Sequence, residues 1–131
     1  MLRRYLSVIL VLLSWPIFAA SAVAASKPAV AIVDCGSAAR VRPTTLIIAC
    51  ADANLYVSSI TWTNWGGARA SARGVLRWND CTPTCVAGHW HRRAVNFKAT
   101  TIKSRNGESL YTRLLASPGT WGGSSPWWVL Y

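Results

Sequence analysis

The chain has 131 residues, with 14 Lys and Arg against 4 Asp and Glu, a formal net charge of +10. That length holds one domain and one modest core. A hydrophobic share of 52% excludes a disordered chain. Together these figures exclude a multidomain enzyme, a coiled coil and a multispan transporter, and the charge points to anionic partners.

The first segment reads as an address. Arg3 and Arg4 form a short positive region, Tyr5 to Phe18 is almost entirely apolar, and small residues follow through Ala25. This is the layout of a secretory signal peptide over residues 1–25, cut after Ala24 or Ala25. Losing Arg3 and Arg4 from the 14 basic residues leaves 12 against 4 acids, so the mature part, 26–131, carries a net +8. No later run is apolar enough to span a bilayer. The expected location is secreted or cell-envelope associated.

The four cysteines, Cys35, Cys50, Cys81 and Cys85, all lie in the mature part. An even count in a small exported domain reads as two disulfides. Cys35 with Cys50 and Cys81 with Cys85 is the favoured of three pairings. The second pair closes the tight loop Thr82-Pro83-Thr84. A competing reading takes Cys81, Cys85, His89 and His91 as a tetrahedral zinc set. Its spacing is not that of a usual zinc finger, and no metal or cofactor is expected.

Short strands follow, separated by turn signals. Thr44–Ala51 is β-rich and reads as a buried strand. Asp52-Ala53-Asn54 marks a turn. Leu55–Trp65 is a second strand, with Tyr56, Ser58, Ile60 and Trp62 on one face and Leu55, Val57, Ser59, Thr61 and Thr63 on the other. Gly66-Gly67 ends it. Ala68–Trp78 alternates without a break. It puts Ala70, Ala72, Leu76 and Trp78 on an apolar side, and Arg69, Arg73 and Arg77 on a basic one. A helix would also align these arginines, but the alternation and Gly74 favour a strand. His89–Lys103 carries Val95, Phe97 and Ala99 on one face. Asn106-Gly107 suits a tight hairpin into Ser109–Ala116. Trp127–Tyr131 is a final short strand. The expected fold is all-β: a small antiparallel sandwich or barrel.

Three stretches carry a family resemblance: Ile48-Ala49-Cys50-Ala51-Asp52, Ile60-Thr61-Trp62-Thr63-Asn64-Trp65-Gly66, and Asn79-Asp80-Cys81-Thr82-Pro83-Thr84-Cys85-Val86-Ala87-Gly88. They resemble a family of small exported actinobacterial proteins with no assigned activity. The resemblance covers residues 46–100 and implies an envelope or secreted location. It supplies no catalytic residues.

Chemistry is sparse. Asp34, Asp52, Asp80 and Glu108 are the only carboxylates. Asp34 and Asp52 flank the first cysteine pair and could form a hydrolase pair, and Ser/His/Asp catalysis is arithmetically possible with His89 or His91. No nucleophile motif or phosphate loop is present. Seven Trp remain after the leader. Trp65 and Trp121 lie beside Gly-Gly and are expected to be exposed as stacking platforms, whereas Trp62 and Trp78 fall on core faces. The resulting expectation is a non-catalytic exported β domain. It would contact an anionic envelope polymer or an extracellular protein through Arg69, Arg73 and Arg77, with Trp65 and Trp121 stacking. No nucleic-acid motif accompanies the charge. An inhibitor or toxin-like module docking through the Cys81–Cys85 loop is the second reading, and a small extracellular hydrolase the third.

Overall fold

The computed structural model describes residues 29–130. The leader expected at 1–25 lies outside the described residues, as does Tyr131. Six strands follow in chain order: β1 (Leu46–Ile47), β2 (Leu55–Thr63), β3 (Arg69–Asn79), β4 (Trp90–Arg105), β5 (Glu108–Ala116) and β6 (Trp127–Val129). Every neighbouring pair is antiparallel, and the spatial order equals the chain order. The result is one curled meander sheet, a half-barrel rather than a two-layer sandwich.

Both cysteine pairs form as expected, Cys35–Cys50 and Cys81–Cys85. The zinc reading therefore fails, because both of its thiols are consumed in one disulfide. Two disulfides fit an oxidising compartment. Among the described residues no helix is long and apolar enough to cross a membrane.

The hairpin after β4 is the turn its sequence demands. Asn106 and Gly107 both take positive φ, and Arg105 pairs with Glu108. Two paired residues with φ above zero are the hallmark of a type I′ turn.

Strand β3 supplies a small inner face, with Ala70, Ala72 and Leu76 buried. Strand β2 departs from simple alternation. Its register slips between Ser58 and Thr61, where Ser59 and Ile60 face the single residue Gly74. Ser59 takes φ of 53°. This β-bulge reverses the parity of the strand. Val57 and Ile60 both point inward, followed by Trp62, instead of the single alternating set expected. Gly74 accommodates the crowding. A Cβ there would stand 2.8 Å from Val57 Cγ1 and 2.9 Å from the Ser58 carbonyl oxygen.

β1 is shorter than expected because the chain turns early. The N–H groups of Ile48 and Ala49 both donate to the Leu55 carbonyl, and Ala53 N–H donates to Ala49. The segment before β1 bridges β5 and β1. Ala31 exchanges backbone bonds with Ser109 and Tyr111 on β5, while the Asp34 carboxylate accepts the Ile47 N–H of β1 at 2.6 Å.

Aromatic rings fill the inside. Tyr111, Trp65, Trp62, Phe97 and Trp121 meet in sequence, each edge to face with the next, at centroid distances of 4.7–5.7 Å. Such pairs add to the burial of their area. Trp62 Nε1 donates to the Pro43 carbonyl and Trp65 Nε1 to that of Val30. The Tyr111 hydroxyl accepts the Gly66 N–H and donates to the Gly67 carbonyl, which pins the β2–β3 turn. Burial raises the Tyr111 phenol above its usual range despite that Gly66 bond.

Candidate functional site

The outer face of the sheet collects the cations. Arg69, Arg73 and Arg77 alternate with the buried positions of β3 and so face outward, about 13 Å apart along the strand. β4 adds Arg92 and Lys98, which are registered against Arg77 and Ser71 respectively. β5 adds Arg113, paired to Thr100, itself opposite Arg69. No carboxylate lies among these outward positions. Asp34, Asp52 and Asp80 are in loops, and Glu108 opens β5 at the hairpin end of the sheet, opposite Arg105. None of the six cations makes a salt bridge among the described residues. Arg77 is oriented by its Nε, which donates to Ser58 Oγ at 3.2 Å.

A shallow groove of about 590 Å³ crosses this face. It is lined by Arg73 and Lys98 together with Thr61, Thr63, Ser71 and Asn96. Cations and hydroxyl or amide groups thus share one depression. That mixture suits an oxyanion carried on a polar backbone.

The aromatic part of the sequence expectation needs correction. Trp121 is 4% exposed and packs edge-on against Phe97 inside the sheet. Trp65 is half-buried, and its indole N–H is spent on Val30. Neither offers a free indole on the basic face. A neighbouring Gly-Gly frees the backbone but leaves the side chain to the core. Among the described residues the exposed indoles are Trp90, 54% exposed, and Trp127, 42% exposed. Trp90 meets Tyr56 edge to face at 5.7 Å. It lies at the Arg77 end of the outer face. Trp127 lies near the other end, with the Arg113 guanidinium 6.0 Å from its ring centroid. Parity could have found Trp90, because it shares the outward set of Arg92 and opposes that of Val95, Phe97 and Ala99.

The carboxylates named for hydrolysis are structural or solitary. Asp34 is 2% exposed. Burial works against its ionisation. Bonds from Ser37, the Ile47 N–H and Arg40 outweigh that and hold its carboxyl below the usual range. Arg40 and Asp34 form a direct ion pair. With both oxygens engaged inside the fold, Asp34 is withdrawn from any substrate. Asp52 is exposed, and its oxygens accept the N–H and the amide of Asn54, which lower its pKa.

The β3–β4 loop is built on Asp80. Its Oδ1 accepts the N–H groups of His89 and Thr82, and its Oδ2 meets His91 Nε2 at 3.0 Å. The His89 N–H is the largest of the influences that hold Asp80 well below the usual carboxylate range. Asn79 closes the loop from inside, donating to the Cys85 carbonyl and accepting the Cys81 N–H. Val86 at the loop tip is fully exposed.

Compared with protein-family models, curated protein sequences and solved structures, the chain matches none.

Proposed function

We propose that this chain is a non-catalytic exported β domain that binds anionic cell-envelope or extracellular polymers through the outer face of its sheet. One observation carries the reading: Arg69, Arg73, Arg77, Arg92, Lys98 and Arg113 share a face without a carboxylate. Uncompensated like charges repel, and a polyanion relieves that repulsion as it releases its own counterions. The groove, where the Thr61, Thr63 and Ser71 hydroxyls stand beside apolar Leu115 and Ala116, and the flanking Trp90 and Trp127 favour an acidic polysaccharide over a bare polyphosphate. The leader-like sequence, the two disulfides and the resemblance to small exported proteins support the location. The test uses heparin as the probe polymer. The disulfide-bonded mature protein is expected to bind it, and Arg73→Glu with Arg77→Glu to lower affinity by about tenfold or more. Equal affinity in the double variant would refute the reading.

A second reading rests on the Val86 tip. A loop braced by the Cys81–Cys85 bridge, Asp80 and Asn79, with a bare apolar side chain at its apex, suits an inhibitor or toxin-like contact with another protein. Under that reading Thr82→Ala, Thr84→Ala or Val86→Asp abolishes partner capture, while the arginine changes leave it intact.

A further inference from the structure

The inner face holds a second concavity, remote in character from the basic groove. It has a volume of about 540 Å³, within the range of small-ligand pockets, about 300–1,000 Å³. Leu55, Leu76 and Trp78 form an apolar floor, and the backbone around Gly119 to Gly122 forms one wall. We propose that this cavity, floored by Trp78 and rimmed by Asp52, Asn54 and Arg93, binds a neutral saccharide.

The polar rim is the reason for that class. Among the described residues Asp52 accepts from Asn54, once on each oxygen, so each oxygen keeps a lone pair for a ligand. Arg93 is a donor. One of its Nη2 protons leans on the Gly119 carbonyl at 3.4 Å, and no carboxylate pairs with it among the described residues. A sugar hydroxyl both donates and accepts, so one ring satisfies Asp52 and Arg93 together. The C–H face of a pyranose then meets the indole. Trp78 is half-buried and offers the part of its ring that lines the cavity. The His91 ring stacks with it at 5.3 Å and 20°, and the Arg93 guanidinium lies 5.8 Å from its centroid. Asp52 and Arg93 together leave the rim without net charge, which suits a neutral sugar and separates this site from the basic face behind it. The two sites stand or fall separately.

The experiment titrates the disulfide-bonded mature protein with two probes, cellobiose and N,N′-diacetylchitobiose, following heat and Trp fluorescence. Saturable binding of at least one is expected. Asp52→Ala, an exposed position, should lower that affinity by about tenfold, as loss of a charged acceptor does. Trp78→Phe should weaken it and diminish the fluorescence change. Arg73→Glu should leave it unchanged. No saturable signal with either sugar overturns the proposal. So does binding that Asp52→Ala leaves intact while the circular dichroism of the variant matches the parent.

Discussion

Arg77 and Arg92 stand directly opposite each other across the β3–β4 pair, both on the outer face of the sheet. Like charges at a cross-strand position destabilise a sheet, where an opposite pair contributes about 0.2–1 kcal/mol. The free protein therefore sacrifices stability at a position that a polyanion would neutralise. Arg92→Glu is expected to raise the stability of the free domain by about 0.5–1 kcal/mol and, at the same time, weaken heparin binding. Denaturant unfolding and a binding titration on the same variant check both halves. A variant that gains stability without losing affinity would separate the charge pair from binding.

Gly74 is required by the bulge it faces. Adding a methyl group there forces Val57, the Ser58 carbonyl and Ile60 apart. Gly74→Ala is expected to destabilise by about 1–3 kcal/mol, the cost of overpacking. Val57→Ala in the same chain should recover part of the loss by making room. A neutral Gly74→Ala variant would contradict the packing described for β2 and β3.

Asp34 sets the acid limit of stability. Its folded pKa lies below the ordinary 3.8 because Ser37, Ile47 and Arg40 stabilise the carboxylate against the cost of burial. A depressed folded pKa contributes stability that is complete above 3.8 and is lost as pH falls through the folded value. Asp80 is depressed in the same sense by the His89 N–H, His91 and Thr82, and adds to the same acid limb. Thermal unfolding should be flat near neutrality and decline below about pH 4. Asp34→Ala should flatten that decline. It should also destabilise at neutral pH by about 2–3 kcal/mol, through the loss of hydrogen bonds to a charged group.

The two kinds of indole should respond oppositely to truncation. Trp121→Ala removes a ring buried against Phe97 and is expected to cost about 3–5 kcal/mol. Trp90→Ala removes an exposed ring and should change stability by less than about 1 kcal/mol, while weakening polysaccharide binding. A stable Trp121→Ala domain, or an unfolded Trp90→Ala one, would reverse the assignment of faces.

Much of this architecture is legible in residue order, and its failures have identifiable causes. β3 and β4 read cleanly because each alternates without a bulge over the stretch that packs on the core, so Arg69, Arg73 and Arg77 go outward as a set. Asn106-Gly107 and the short Cys81–Cys85 separation are local signals that need no tertiary knowledge. The β2 faces could not be read past Ser58. A bulge costs one residue of register and leaves no mark in an already small, polar stretch such as Ser58-Ser59. The site was half legible for a similar reason. Charge on an alternating strand predicts its own side, whereas the fate of an indole depends on what packs above it. Trp65 and Trp121 were drawn into the chain of rings through Trp62 and Phe97. Lys98 and Arg113, and the place of Arg92 beside Arg77, became visible only when register set β4 and β5 beside β3.

The most direct measurement is the dependence of heparin affinity on salt. If the six outward cations carry binding, the logarithm of the association constant falls steeply and linearly with the logarithm of salt concentration. Replacing Arg73 and Arg77 by Glu then makes that line shallower. An affinity that stays constant from low to high salt, or a slope that the double variant leaves untouched, would contradict the account.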